Sequence, residues 1–239
     1  MGYQDDLQRL FGLRDVTYKH GLSKDELFDD AIANDRGRVR PDGPDDEQKA
    51  FPTKLGKQGP LVFYTDPSCT GRPVQDTFGV ARPEFEDALW WKNDFQKFDP
   101  HKFDALLLRV GEHLNAKGAT LHVQELFCGT DPEYAVPYRW VGEYATHAIF
   151  VNNMFPKGIE GVEDADAKRW TLLNVPSFHA DPERDGTRTA RAVILDPGRK
   201  ICLVIGRADY CGVNKKTMFT VMNWLLPNLG HMSMHCSAN

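Results

Sequence analysis

The chain has 239 residues, of which 41% are hydrophobic and 26% are charged, with a formal net charge of −5. These fractions exclude wholesale disorder, a collagen-like repeat and a coiled coil. The excess of 34 Asp and Glu over 29 Lys and Arg argues against a generic nucleic-acid-binding protein, which needs a basic face. A local basic pocket for an anion remains compatible with this balance.

The N-terminus and the cysteines predict a cytoplasmic protein. The first residues lack the basic start and apolar segment of a secretory signal, and no run approaches about 18 apolar residues, so we expect no membrane association. The cysteines are odd in number, widely spaced and without a Cys-x-x-Cys pair, which predicts reduced thiols instead of disulfides or a zinc ribbon. They are Cys69, Cys128, Cys202, Cys211 and Cys236.

The first half of the chain contains two well-delimited helices. Ser23 and Glu26 have capping-box spacing and predict a helix ending near Gly37. Asp99 as N-cap and Pro100 as first helical residue predict a second helix ending at Gly118. Residues 40–57 are polar and predict a surface loop. Strands are predicted at residues 61–64 and 120–127, with a turn-rich segment at 65–73.

The second half alternates further strands and helices. Residues 140–151 have helical apolar spacing, with Arg139 opening that helix, and 170–174 predict a strand. Residues 192–195 and 201–205 flank Asp196-Pro197-Gly198-Arg199, a hairpin turn pattern. Residues 216–226 predict a helix stopped by Pro227, and residues 230–239 predict a turn entering a strand. This interleaving predicts an α/β fold with a mixed β-sheet flanked by helices.

The C-terminal segment gathers four candidate functional residues, Tyr210, Lys215, Lys216 and His235. A lysine pair at a helix start is unusual, because the helix dipole disfavours cations there. If these ammonium groups are partly buried, their pKa values fall and a neutral amine becomes available as a metal ligand or base. The same pattern also fits two surface lysines and a core histidine.

Arg72 follows a predicted strand and lies among turn residues. Such a position suits a guanidinium that holds a carboxylate or phosphate through two parallel hydrogen bonds, although a solvated loop arginine fits as well. The segment 127–129 and Arg139 are compatible with purely structural roles. The chain contains no phosphate-binding P-loop, dinucleotide-binding, zinc-protease or nucleophile-elbow motif.

In order along the chain, these segments resemble the N-terminal domain of ATP-dependent phosphoenolpyruvate carboxykinases. The resemblance covers residues 23–239 and is most specific at its last two motifs, 222–227 and 233–239. Residues 222–227 resemble M-N-Y-L-L-P, and residues 233–239 match S-M-H-C-S-A-N. Tyr210 with residues 215–219 is similar to part of Y-G-G-E-M-K-K-G-M-F. The remaining matching segments are Thr70-Gly71-Arg72, Trp90-Trp91, and the unit formed by residues 127–129, 131–134, Arg139, Glu143 and 153–155.

The resemblance implies conversion of oxaloacetate and ATP to phosphoenolpyruvate, carbon dioxide and ADP, with Mn²⁺ and Mg²⁺ as cofactors. It implies that Arg72 holds the substrate carboxylate and that Lys216, as a neutral amine, and His235 bind Mn²⁺. Tyr210 would pack against the substrate or the departing carbon dioxide, and Lys215 would add positive charge. A metal and cations beside the enolate oxygen would stabilise the charge left by decarboxylation.

The chain departs from the family pattern around these residues. Arg72 is followed by Pro73-Val74-Gln75, so the lysines of the family's loop are absent. Cys211 replaces a glycine next to Tyr210, and Val213-Asn214 replaces a Glu-Met pair. These changes bear on tight substrate binding more than on metal binding.

The resemblance divides the chain into an N-terminal extension (1–22), the carboxykinase N-terminal domain (23–229) and a strand leading toward a nucleotide-binding domain (230–239). That C-terminal domain would supply the phosphate-binding loop and a third metal ligand, so we expect a fragment of a longer enzyme that is inactive alone. One alternative is a stand-alone degenerate homologue acting as a non-catalytic ligand- or protein-binding module; another is a metabolic α/β domain of unrelated activity. The sequence indicates no oligomeric state.

Overall fold

The computed structural model describes residues 2–35, 51–52, 61–62, 70–91, 95–206 and 210–237. Within them the helices are α1 (Tyr3–Phe11), α2 (Lys24–Asn34), α3 (Pro100–Lys117), α4 (Ala145–Met154), α5 (Ala165–Lys168), α6 (Pro182–Asp185) and α7 (Gly212–Asn228). The strands are β1 (Thr17–His20), β2 (Phe51–Pro52), β3 (Leu61–Val62), β4 (Thr77–Val80), β5 (Gln96–Phe98), β6 (Thr120–Cys128), β7 (Val136–Gly142), β8 (Trp170–Val175), β9 (Ala192–Asp196) and β10 (Ile201–Ile205).

One mixed sheet organises the fold, with strand order β1-β6-β7-β8-β10-β9-β4-β5. Strands β7, β8 and β10 are mutually parallel and end at one edge of the sheet. Strand β9 runs antiparallel to β10, and β4 runs parallel to β9, so both begin at that edge. The predicted α/β class with a mixed sheet flanked by helices is therefore confirmed. The short strands β2 and β3 form a separate antiparallel pair.

Each face of the sheet carries its own hydrophobic core. On one face, α1 and α3 bury Leu7, Phe11 and Phe103 against alternate residues of the central strands. On the other face, α2, α4 and α7 pack against Trp140 and the remaining inward positions. The central strands are buried on both faces, as expected for a sheet covered by helices on two sides.

The helix and hairpin predictions with explicit end signals are confirmed. Helix α2 has the predicted capping box, in which the Glu26 N–H donates to Ser23 Oγ at 3.3 Å and the Ser23 N–H to Glu26 Oε2 at 2.8 Å. Helix α3 begins at the Asp99 cap and ends at Gly118, whose φ is 59°. Strands β6 and β8 match their predictions, and β9 and β10 form the predicted antiparallel hairpin. Residues 40–50, 53–57 and 63–69 of the predicted loop, strand and turn lie outside the described residues.

The predicted helix over residues 140–151 is wrong in its first part. Trp140 and Val141 belong to strand β7, as does Arg139, and helix α4 begins only at Ala145. Every residue of β7 is buried, so its apolar positions do not alternate. A strand buried on both faces followed at once by a helix gives a continuous apolar pattern that also fits helical spacing.

The C-terminal predictions also need correction. Helix α7 starts at Gly212 and continues through Pro227 to Asn228. A proline there removes one backbone hydrogen bond, and the loss is small because the helix ends one residue later. Trp224, one turn earlier, packs on Phe85 and Trp170. The strand predicted within 230–239 is not formed, since residues 231–237 have no regular secondary structure and pair with no strand among the described residues.

The segment predicted as an N-terminal extension contributes to the fold. Residues 3–11 form α1, and residues 17–20 form β1, which is the outermost strand of the sheet and pairs in parallel with β6. Helix α1 lies so close to α3 that a Cβ on Gly111 would come 1.9 Å from the Phe11 carbonyl oxygen. Glycine at position 111 therefore permits this packing. No helix in the described part of the chain is long and apolar enough to cross a membrane.

Candidate functional site

The candidate site lies along the face of the sheet that α7 covers. It extends from the end of the sheet where β8 and β10 finish toward the opposite end, where β8 begins at Trp170. The loop carrying Arg72 leads into β4, which begins at the end where β8 and β10 finish, and α7 follows β10 from the same end. Between them is a cavity of about 450 Å³. Arg72 and Lys216 both line it, so the structure brings together two residues 144 positions apart that the family resemblance assigns to the substrate and metal site.

The rest of the cavity wall is largely apolar. Strand β9 contributes Val193 and Leu195, and four aromatic residues line other sides of the cavity. Helix α7 adds two hydroxyl groups, from Thr217 and Thr220. The two cations lie at the solvent-accessible part of this wall, because Arg72 is exposed and Lys216 is partly buried. The aromatic residues are Trp90, Phe95, Trp170 and Trp224.

The loop that carries Arg72 is anchored just after that residue. Pro73 is buried, and the Val74 N–H donates to the Arg72 carbonyl at 2.9 Å. Asp76 is 1% exposed and accepts hydrogen bonds from the Nε atoms of Arg188 and Arg191, each 3.2 Å from one of its carboxylate oxygens. The Arg72 guanidinium itself stays exposed on this fixed backbone, so it is available to a ligand.

Lys216 lies in an environment that disfavours its protonated form. Loss of contact with water lowers the pKa of the Lys216 ammonium, and the positive charges of Lys215 and Arg72 lower it further. The first turn of α7 adds the positive end of the helix dipole. The direction of this shift agrees with the sequence argument, which needs a lysine that loses its proton more readily than usual.

Phe219 connects the two lysines with the histidine. The Lys215 and Lys216 Nζ atoms lie 5.3 and 5.2 Å from the centre of its ring. The His235 ring packs edge-on against the same ring, with 5.4 Å between centroids. All three predicted residues thus surround one aromatic side chain. Lys215 and His235 are not among the residues that line the cavity.

Tyr210 precedes α7 and is 40% exposed. Its ring lies over Gly212, where an added Cβ would come 2.5 Å from a Tyr210 ring carbon. Cys211 has φ −52° and ψ −34°, an ordinary right-handed conformation. A side chain at position 212 would therefore displace the Tyr210 ring, whereas the cysteine that replaces a family glycine at 211 causes no backbone strain.

Two other segments named by the resemblance have structural contacts. Arg139 is buried and donates to Glu125 Oε1 at 2.5 Å and to Asp6 Oδ2 at 3.3 Å. Cys128 ends β6, and burial raises the pKa of its thiol to about 11 against the opposing charge of Lys215. The Cys128 thiol is therefore protonated at neutral pH and is a poor nucleophile.

Sequence reasoning missed most of the cavity wall. Lys216, Thr220 and Trp224 recur at helical spacing along α7, and this stripe is a signal that could have identified the wall-forming face. Trp170 opens a buried strand and has no such signal. The sequence marks Asn214, which is buried, only as a departure from the family pattern.

The donor set fits part of a metal site. The described residues contain no group of three or more His, Cys, Asp or Glu side chains able to hold a metal ion. The Lys216 amine and the His235 imidazole, both against Phe219, offer two nitrogen donors, and Mn²⁺ prefers additional oxygen ligands. These two residues can hold Mn²⁺ only together with oxygen donors from the substrate or another part of the protein.

Taken together, the fold and the site define an α/β domain with a mixed sheet and a cavity beside α7. Two cationic side chains, Arg72 and Lys216, and a largely apolar wall line this cavity.

Comparisons with known proteins give the family. A model of the family described as phosphoenolpyruvate carboxykinase matches residues 20–239. A phosphoenolpyruvate carboxykinase (ATP) of Cereibacter sphaeroides is 38% identical over 234 residues, which is 98% of this chain and 40% of that protein. The enzyme of Deinococcus radiodurans is 39% identical over 81% of this chain and 42% of its own length. The enzyme of Thermus thermophilus is 41% identical over 77% of this chain and 35% of its own length.

The chain belongs to the phosphoenolpyruvate carboxykinase family. It spans about 40% of the length of these relatives. The family assignment agrees with the resemblance found in the motifs at 70–72, 210–219, 222–227 and 233–239.

Proposed function

We propose that this chain is the substrate- and Mn²⁺-binding domain of an ATP-dependent phosphoenolpyruvate carboxykinase. The whole enzyme would convert oxaloacetate and ATP to phosphoenolpyruvate, carbon dioxide and ADP in the cytoplasm, as a step of gluconeogenesis. The observation that carries this proposal is the meeting of Arg72 and Lys216 in one cavity, with His235 joined to Lys216 through Phe219.

The chain's own residues would bind and orient the substrate. Arg72 would hold a substrate carboxylate with two parallel hydrogen bonds, and Tyr210 would pack against the substrate or the departing carbon dioxide. Lys215 would add positive charge beside the enolate that decarboxylation leaves. Lys216 and His235 would hold Mn²⁺, which when bound supplies Lewis-acid stabilisation of the enolate oxygen.

The remaining chemistry would come from a second domain. The chain lacks a phosphate-binding loop motif in its sequence and spans about 40% of the relatives' length. We propose that a nucleotide-binding domain C-terminal to residues 230–239 binds ATP with Mg²⁺ and supplies the third protein ligand of Mn²⁺. The 239-residue chain alone would then bind substrate without turnover.

Arg72→Ala tests this proposal directly. We expect calorimetric titration with phosphoenolpyruvate in the presence of Mn²⁺ to show binding to the unaltered chain. In the variant we expect affinity roughly 10- to 100-fold lower, because a charge-assisted hydrogen-bond pair contributes about 1.5–3 kcal/mol. Arg9→Ala, which removes an exposed arginine paired with Asp6, is the matched control and should bind like the unaltered chain. Equal affinity of all three would contradict the role of Arg72.

The altered loop after Arg72 supports a second candidate. Pro73-Val74-Gln75 stand where the family has lysines, which would suit a stand-alone homologue that binds a ligand or protein without catalysis. Reading the gene past the codon for Asn239 separates the two. An open frame that continues into a phosphate-binding loop supports the enzyme, and a stop codon supports the binding module.

A further inference from the structure

Asn214 forms a buried hydrogen-bonded junction under the first turn of α7. Its Oδ1 accepts from Trp140 Nε1 at 2.9 Å and from Asn174 Nδ2 at 2.7 Å, and its Nδ2 donates to the Cys211 carbonyl at 3.1 Å. Asn174 also bonds to His147 Nδ1 at 3.0 Å. The four side chains are at most 1% exposed, so this junction joins β7, β8, α4 and α7 in the core.

This junction fixes how α7 is rotated about its axis. Successive residues of a helix are separated by about 100°, so holding Asn214 against the sheet sets the directions of Lys215 and Lys216. The N-cap residue Cys211 makes no side-chain capping bond. The Cys211 carbonyl accepts from the Asn214 backbone N–H at 3.2 Å and from Asn214 Nδ2 at 3.1 Å, so the side chain reinforces this turn from inside the protein.

This chain has Val213-Asn214 where the motif that it resembles, Y-G-G-E-M-K-K-G-M-F, has a Glu-Met pair. A methionine sulfur is only a weak acceptor and has no donor. It could not satisfy the Trp140 indole N–H, the Asn174 amide and the Cys211 carbonyl together. The polar partners on β7 and β8 thus match the asparagine found here.

We propose that Asn214 is a positioning residue, which holds Lys216 toward the cavity and sets the direction of Lys215 through its bonds to Trp140 and Asn174. The function of the two lysines rests on the proposed metal- and substrate-binding role of this chain. The orientation of α7 by Asn214 does not depend on that role, so the orientation and the binding can be tested separately.

Asn214→Leu, of similar size, removes all three bonds, and Trp140→Phe removes one donor without changing α7. We expect both variants to speed amide hydrogen exchange in residues 213–219 and to leave residues 222–228 unchanged. We also expect Mn²⁺ affinity, measured from the EPR signal of free Mn²⁺, to fall about tenfold in Asn214→Leu, as is typical when a group that orients a metal ligand is lost. Gln8→Leu, a comparable amide-to-leucine change at an exposed position of α1, should alter neither measurement.

Unchanged exchange in residues 213–219 of folded Asn214→Leu and Trp140→Phe would overturn the inference, as would unchanged Mn²⁺ affinity in folded Asn214→Leu. Far-UV circular dichroism and thermal unfolding identify folded variants, and Trp140→Phe decides the exchange result if Asn214→Leu does not fold. An unaltered chain without Mn²⁺ affinity would contradict the proposed function instead, and hydrogen exchange would still decide whether Asn214 orients this turn.

Discussion

Replacing Asp196 by alanine is expected to lower the free energy of unfolding by about 3 kcal/mol. Asp196 is fully buried at the end of β9. It accepts from Arg82 Nε and Nη2 at 2.7 and 2.6 Å and from Arg199 Nε at 2.7 Å. The variant would leave two guanidinium groups without this anion. Both arginines are partly accessible to water, which places the cost at the lower end of the range for a buried ion pair.

The stability that Asp196 contributes should be lost as the pH falls into the acidic range. Burial raises the pKa of Asp196, but hydrogen bonds and charge from Arg82 and Arg199 outweigh it and hold the pKa below its usual range. A lowered pKa in the folded state stabilises the protein above the unfolded-state pKa, and this contribution is lost as pH falls through the folded-state pKa. The difference between the parent and Asp196→Ala should therefore be full at neutral pH and shrink below about pH 4.

Urea unfolding at pH 7 and at acidic pH measures both effects. Asp166→Ala is the matched control, because Asp166 also pairs with an arginine, Arg169, but its side chain is 91% exposed. We expect that control to cost less than about 1 kcal/mol. A cost for Asp196→Ala as small as that of Asp166→Ala, or one that stays constant with pH, would contradict this account of the ion cluster.

Replacing Lys216 by methionine is expected to weaken Mn²⁺ binding by at least about tenfold, since losing a ligand costs no less than losing a group that orients one. Methionine keeps the length of the side chain and its contact with Phe219 but removes the nitrogen donor. A lysine must lose its proton to bind a metal, so the affinity of the parent chain should rise with pH. The lowered pKa of Lys216 moves this rise toward neutral pH.

Free Mn²⁺ measured by EPR between pH 6 and pH 9 gives both the affinity and its pH dependence. The part of the pH-dependent rise in Mn²⁺ affinity that is due to Lys216 should be absent in Lys216→Met. Lys168→Met, at an exposed position on α5, removes the same charge away from the site and should behave like the parent chain. Equal Mn²⁺ affinities in Lys216→Met and Lys168→Met would show that Lys216 is not a ligand.

Parts of the fold with local end signals could be predicted from the sequence. The Ser23 capping box, the Asp99-Pro100 start and the turn at 196–199 each fix backbone conformation through neighbouring residues. Their helices and hairpin appear as predicted. Strand β7 could not be separated from α4, because a strand buried on both faces leaves no alternation.

Other elements are stabilised only by contacts distant in sequence. Strand β1 has four partly exposed residues and exists because β6 lies beside it. The bond of Arg82 to Asp196 joins residues 114 positions apart, and that of Trp140 to Asn214 joins residues 74 positions apart. No local pattern contains such pairings.

The candidate site was predicted through the family resemblance more than through local chemistry. Taken alone, Arg72, Lys216 and His235 fit surface or core residues equally well, and the ordered motifs singled them out. The structure adds the shared cavity, the contacts with Phe219 and the apolar wall of Trp170 and Trp224. It also shows that the departures at Cys211 and Asn214 form one hydrogen-bonded turn.

The central claim is that Lys216 and His235 hold Mn²⁺ beside a substrate bound by Arg72. The most direct measurement is an anomalous difference map, collected at the manganese absorption edge from crystals soaked with Mn²⁺ and phosphoenolpyruvate. We predict a peak within bonding distance of Lys216 Nζ and a ring nitrogen of His235, with the phosphoenolpyruvate carboxylate on Arg72. A manganese peak at other residues, or phosphoenolpyruvate bound away from Arg72, would contradict the account.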